Sequence, residues 1–88
     1  MISKSQVDAI VAKIETLGVD EATVSALREQ YQPIHFTYCM DDDLPNNTPV
    51  TEHKDFNLYL IDGREHCLCL TNNYEVATGI VVAEIIPD

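Results

Sequence analysis

The chain has no tryptophan, only three glycines and only five basic residues among its 88 positions. Its 15 acidic residues leave a formal net charge of −10 at pH 7. A field of this sign repels phosphate backbones and anionic lipid headgroups, so the composition argues against direct binding to nucleic acids or membranes. It would attract a basic protein or a cation, although net charge also serves simply to keep a small protein soluble.

Long apolar runs and targeting signals are missing as well. The longest apolar run, residues 79–83 with Ile85 and Ile86 beyond it, is far shorter than the roughly 20 residues of a membrane-spanning helix. The first residues, MISKSQVDAIVAK, have no extended apolar region and no small-residue cleavage site of the kind found in signal peptides. The three cysteines are an odd number, unlike a disulfide framework. These features predict a cytoplasmic protein with reduced thiols.

The remaining composition is that of an ordinary globular domain, with 45% apolar and 23% charged residues. A chain of this length forms one domain and buries only about 60–65% of its unfolded surface. Its core is therefore thin, and dimerisation would stabilise it.

Apolar residues at helical spacing predict a helical hairpin in the first third of the chain. Ser3 and Gln6 can form a capping box at the start of the first helix, and Asp20 can cap the second. Gly18 suits the turn between them, because glycine readily adopts positive φ. The predicted helices cover about residues 3–17 and 20–31.

The period changes from helical to alternating after Pro33, which predicts strands in the rest of the chain. Turn signals at Asp62-Gly63 and Asn72-Asn73 separate the later strands. The predicted strands cover about residues 34–40, 55–61, 65–71 and 78–86. The predicted fold class is α+β, a single domain over residues 1–88 in which the helical hairpin packs on a three- to four-stranded antiparallel sheet.

The length of the turn at Asp62-Gly63 decides which face of the sheet carries Cys67 and Cys69. A two-residue turn would set Leu58 opposite Cys67, with both thiols on the apolar face. A loop one residue longer or shorter would place the thiols on the other face, beside Asn57 and Tyr59. The second arrangement separates apolar from polar side chains better, and it is the one favoured.

The last predicted strand is apolar on both sides, with Ile80 and Val82 on one and Val81 and Ala83 on the other. Such a strand is usually covered on both faces. Two helices can cover only one face, so a second copy of the chain is a candidate cover for the other. This predicts a homodimer formed through the sheet.

Three cysteines and a histidine form a candidate site for a soft metal or for redox chemistry. Thiolate and imidazole groups are its natural ligands, and they could converge if the first strand neighboured the hairpin. Against this, Cys-x-Cys is not the usual Cys-x-x-Cys spacing, and the first-strand pair would lie about 13 Å apart along an extended chain. Cysteine is also a common small buried residue, so a structural role is preferred and no cofactor is assigned. The candidates are His35, Cys39, Cys67 and Cys69.

Three successive carboxylates, Asp41, Asp42 and Asp43, open a loop of about fourteen residues that is long for a compact domain. Asn46 stands where a calcium-binding loop needs glycine, so the match to such a loop is poor. The run therefore predicts a solvated loop, with recognition of a basic partner as its functional alternative. All three aspartates are candidate partner-binding residues.

The stretches FTYCMDDDLP and FNLYLIDGREHCLCLTNNYEVATGIVVAE resemble small uncharacterised bacterial proteins of this length, some of them associated with nitrogen-fixation gene neighbourhoods. The resemblance covers most of the chain after Pro33. It implies no activity and assigns no functional residue.

No catalytic constellation or phosphate-binding loop is present in the sequence. The predicted function is therefore a small non-enzymatic interaction module that binds a protein partner, with the chain itself as one candidate. A thiol or metal role for Cys39, Cys67 and Cys69 is the alternative. A third hypothesis is an acidic mimic of nucleic acid that binds a basic protein.

Overall fold

The computed structural model describes residues 2–44, 46–63 and 69–86. Two helices precede a five-stranded sheet, so the α+β prediction is confirmed. Neither helix has the length and hydropathy to cross a membrane within the described ranges. In chain order the elements are α1 (Lys4–Leu17), α2 (Glu21–Gln30), β1 (His35–Met40), the 3₁₀ turn η1 (Asp41–Asp43), β2 (Thr51–Glu52), β3 (Phe56–Asp62), β4 (Cys69–Thr71) and β5 (Gly79–Glu84).

Both helices begin at the caps that the sequence predicts. The Gln6 backbone N–H donates to Ser3 Oγ at 3.1 Å, and the Ser3 N–H donates to Gln6 Oε1 at 2.9 Å, which completes the capping box. At the second helix, the Thr23 N–H donates to Asp20 Oδ1 at 2.8 Å. Gly18 ends α1 with a φ of 101°, a value that side-chain-bearing residues rarely adopt.

The sheet is mixed rather than purely antiparallel, which corrects the prediction. Its order is β1-β5-β3-β2, with β4 also paired to β3. β1 runs parallel to β5, and the other pairs are antiparallel. Gly79 lies opposite His35, and a Cβ at residue 79 would come within 2.9 Å of the His35 carbonyl oxygen. Glycine at this position therefore permits the close approach of the two parallel strands.

The main core lies between the helices and one face of the sheet, here called the helix face. Ile2, which precedes α1, is 1% exposed and belongs to this core although it lies outside both predicted helices. Its backbone N–H donates to the Tyr74 carbonyl at 3.2 Å, which holds the N-terminal segment against the molecule. The buried members are Ile2, Val7, Ile10, Val11, Ile14, Val24, Leu27, Phe36, Phe56, Leu58, Leu60, Ala77, Ile80 and Val82.

The opposite face of the sheet, here called the second face, carries a smaller apolar cluster. Tyr59, Val81 and Ala83 are 3%, 5% and 0% exposed within a single chain. Half-buried side chains pack against them, including Leu44 from the segment after η1 and Leu70 from β4. The doubly apolar last strand is thus confirmed, but its second face is already buried. The homodimer predicted through that face loses the surface that motivated it.

The hairpin register differs from the favoured arrangement. Leu60 pairs with Thr71 and Asp62 with Cys69, so Cys69 belongs to the helix-face side of the sheet rather than to the second face. The favoured arrangement was wrong for Cys69 because the register of β3 against β4 has the parity that a two-residue turn would give. Cys69 is exposed there, and Cys67 lies outside the described residues.

Candidate protein-binding edge

The two edges of the sheet differ in the length of their strands. The far edge, beyond β3, consists of β2 with two residues and β4 with three, and such short edge strands are one way in which proteins protect an edge. β1 pairs with β5 on one side, and no strand of the described ranges pairs with its other side. The outer side of β1, from His35 to Met40, is therefore the longest unpaired strand edge of the described sheet, and it is here called the open edge. An open edge presents unpaired backbone groups that can bind another extended chain.

Hydrogen bonds show which backbone groups of β1 point outward. The His35 N–H donates to the Thr78 carbonyl at 3.2 Å and so points toward β5. Because successive residues of a strand direct their backbone groups to opposite sides, Phe36, Tyr38 and Met40 direct theirs outward. The Arg28 Nε–H donates to the Phe36 carbonyl at 3.1 Å from outside the sheet, which agrees with this assignment.

Tyr38 lies at the middle of the open edge, with its ring on the helix face. Its hydroxyl donates to the Glu84 carboxylate on β5. This hydrogen bond, followed by burial and by the negative charges of Glu84, Glu21 and Asp20, raises the pKa of Tyr38 to about 12. The phenol is neutral at ordinary pH, and several carboxylates lie within electrostatic reach of the middle of β1.

The acidic turn η1 follows β1 directly and is fastened to the second face by its first residue. Asp41 Oδ1 accepts hydrogen bonds from Asn57 Nδ2 and from the Tyr59 hydroxyl, each at 3.0 Å. Burial first, and then the contact with Asp41, raises the pKa of Tyr59, so its hydroxyl keeps its proton and donates. Asp41 thus packs against the second face and holds the turn there, while Asp42 and Asp43 stay exposed.

The three aspartates predicted to bind a partner therefore separate into two roles. Asp41 is half-buried and serves the fold, whereas Asp42 and Asp43 form an exposed negative end to β1. Sequence reasoning missed the anchoring pair of Asn57 and Tyr59. Their alternation along one strand was the available signal, since it puts both polar groups on the same face.

The candidate thiol site does not assemble in the described residues. Cys39 and His35 share a face of β1, as predicted, but β5 and β3 separate β1 from β4, a distance of about 14 Å at about 4.8 Å per strand. Cys39 lies on the second face and Cys69 on the other. No group of three or more histidine, cysteine or acidic residues that could hold a metal occurs among residues 2–44, 46–63 and 69–86.

Cys39 is half-buried beside the acidic turn. Burial first, and then the charges of Asp43 and Asp41, raise the pKa of its thiol. Since the thiolate is the nucleophile and metal ligand, this environment keeps Cys39 in its unreactive form. The neighbourhood of the thiol therefore supports a packing role.

An open groove lies beside the start of β1. Its apolar lining comes from Pro33, Ile34 and Ile61, and its basic lining from Arg28 and His35. A chain bound along β1 would pass this groove at one end and the acidic turn at the other. The exposed carboxylates of the edge are therefore concentrated at the η1 end of β1.

No curated protein and no solved structure matches the chain. A protein-family model matches residues 9–85, a span that includes most of α1 and every later element. This agrees with the resemblance to uncharacterised proteins, and it brings no activity or site with it. The chain belongs to the family of unknown function DUF6129.

Proposed function

We propose that this protein is a non-enzymatic interaction module that binds an extended segment of a protein partner along the open edge of β1. The observation that carries the proposal is the outward direction of the Phe36, Tyr38 and Met40 backbone groups on a strand paired on one side. In strand addition, main-chain hydrogen bonds supply affinity and side-chain pockets supply specificity. A cytoplasmic location, as predicted from the sequence, is part of the same proposal.

Natural proteins usually protect a strand edge with charges, bulges or a covering element. Among the described residues, two features protect the edge of β1. One is the Arg28 contact with the Phe36 carbonyl, and the other is the acidic turn beyond the strand. A carbonyl oxygen has two lone pairs, so the Phe36 oxygen can accept a partner's N–H while it keeps Arg28. The N–H groups of Tyr38 and Met40 remain directed outward and available to an incoming carbonyl.

Met40→Pro tests the proposal, with Met40→Ala as its matched control. Met40 has a φ of −86°, close to the value that proline imposes, and its N–H takes no part in the ladder with β5. Both variants lose the methionine side chain, but only the proline removes the outward N–H. We expect both to fold, and only Met40→Pro to lose partners captured by the tagged wild-type protein.

The measurement is quantitative affinity capture from the source cells, with circular dichroism to check folding. Equal recovery of the same partners by Met40→Pro and Met40→Ala would contradict strand addition. So would a wild-type protein that captures nothing.

A further inference from the structure

We infer that the segment bound at the β1 edge is an isolated extended strand with basic side chains, rather than a second copy of this chain. The inference rests on the proposed function and adds the chemical nature of the partner. Two independent features carry it: the charge around the edge and the position of α2.

Carboxylates dominate the surroundings of the C-terminal half of β1. Asp42 and Asp43 are exposed at its end, and Glu84 lies opposite Met40 on the neighbouring strand. Two further carboxylates, Asp20 and Glu21, begin α2 and act electrostatically on Tyr38. An incoming segment with lysine or arginine side chains would be attracted here, and an acidic one repelled.

The basic groups near the edge do not offset these carboxylates. Arg28 Nη1 already lies 3.8 Å from Glu21 Oε2, and the Arg28 Nε–H also donates to the Phe36 carbonyl. His35 lies at the opposite end of β1, beside the groove. The charge balance along the strand therefore agrees with the net charge of −10 for the whole chain. Two copies of this chain would bring charges of the same sign together.

The position of α2 gives a steric reason against a second copy. α2 packs on β1, the outermost strand, and its buried residues Val24 and Leu27 share a core with Phe36. Strands paired across a dimer would lie about 4.8 Å apart, whereas two packed helices need axes about 8–10 Å apart. Antiparallel pairing of two β1 strands keeps both α2 helices on the same face of the joined sheet and would force them together, while a segment without a helix on that face avoids the conflict.

Three synthetic peptides provide the test. Each has the same alternating threonine–valine centre, and both ends carry two lysines, two serines or two glutamates. Lysines at both ends make the test independent of strand direction. We expect only the lysine peptide to bind measurably, with the largest amide chemical-shift changes at Tyr38 and Met40. Binding should weaken as salt is raised, because the charges are exposed.

Two double variants with the same charge change serve as the test and its control. Asp42→Asn with Asp43→Asn removes two charges beside β1, and we expect about a fivefold loss of affinity for the lysine peptide, from roughly 0.5 kcal/mol per exposed pair. Glu52→Gln with Asp55→Asn removes two exposed charges near β2, at the opposite edge of the sheet. We expect that control to change affinity less than twofold.

The outcomes separate the inference from the proposed function. The lysine and glutamate peptides could bind equally, and both could lose binding with Met40→Pro. This result would overturn the inference of a basic partner and would support strand addition at the β1 edge. Sedimentation could also show a wild-type dimer that Met40→Pro dissociates. This would likewise overturn the inference of a basic partner and support the binding edge, because the segment bound at β1 would then belong to a second copy of the chain. Binding of the lysine peptide that Met40→Pro leaves unchanged would overturn both, as would failure of every peptide to bind. Capture of a folded basic protein, unaffected by Met40→Pro, would indicate nucleic-acid mimicry instead and also overturn both.

Discussion

The two faces of the sheet are closed by different means. On the helix face, large apolar side chains such as Leu58 and Ile80 meet two helices and form a continuous core. On the second face, a small cluster around Val81 and Ala83 is joined by the polar contacts of Asp41. The first face depends on buried apolar area, and the second depends in addition on hydrogen bonds that leave no buried side-chain polar atom unpaired among the described residues.

This difference predicts different sensitivities to mutation. Apolar burial contributes roughly 25 cal/mol per Å² and is spread over many residues. A buried hydrogen bond contributes little net stability, yet the loss of one partner leaves the other desolvated and unpaired. The helix face should therefore respond to side-chain volume, and the second face to polar substitution.

The largest expected effect is that of Leu58→Ala, in the middle of the helix face. Leu58 is 0% exposed, and the cavity left by the substitution should cost about 3 kcal/mol of unfolding free energy. Val81→Ala on the second face should cost about 1.5 kcal/mol, from two methyl groups at about 0.8 kcal/mol each. Urea unfolding measures both. Equal losses would show that the two faces pack alike, contrary to this expectation.

Asp41→Ala should have the next largest effect, about 2 kcal/mol, because it leaves the buried Asn57 amide and the Tyr59 hydroxyl without their acceptor. Asp41→Asn keeps an acceptor oxygen in the same place and should cost less than half as much. The same unfolding experiment compares the two variants. If both lose equal stability, hydrogen bonding is not what fastens the acidic turn to the second face.

A smaller effect is expected in the alkaline titration of the tyrosines. The folded pKa of Tyr38 is raised from 10.0 to about 12, so the stability it contributes is complete below pH 10 and is lost as pH rises through about 12. Phenolate absorbance should show late transitions for Tyr38 and Tyr59, and Glu84→Gln should move only that of Tyr38 toward lower pH. Tyr38→Phe identifies the transition by removing it. If Glu84→Gln leaves the Tyr38 transition where it is in the wild type, the assignment to the Glu84 contact is contradicted.

The smallest expected effect concerns the thiol of Cys39. Burial is the main cause of its raised pKa, and the charge of Asp43 is the next. Asp43→Asn should therefore lower that pKa and modestly speed alkylation at a given pH. The rate is followed by mass spectrometry of the peptide that contains Cys39. Glu52→Gln, at the far edge, is the control, and an equal acceleration there would mean that the charge of Asp43 has no local effect.

The sequence predicted best those features that depend on near neighbours. The capping box at Ser3, the cap at Asp20 and the turn at Gly18 are each set within a few residues, and the structure contains all three. The two-sided apolar pattern of the last strand was also correct, because it reflects burial on both faces.

The features that the sequence did not predict depend on contacts between distant segments. Pairing of β1 with β5 follows from packing across the fold, and no turn signal in the sequence predicts it. The same is true of the candidate site. The run from Asp41 to Asp43 stood out by composition, but the open edge beside it depends on strand order. The burial of Asp41 depends on Asn57 and Tyr59, which follow it at a distance in the chain.

The parallel pair of β1 and β5 also imposes an order of events during synthesis. His35 pairs with Gly79, and about half of the chain lies between them, so β1 is made long before its neighbour exists. Until β5 emerges, both sides of β1 are open to other strands. Pairing across so long a separation must also overcome a loop-closure cost, which makes it slow. A partner segment present at that stage would compete with β5 itself, so the time at which the two chains first meet would help to decide which complex forms.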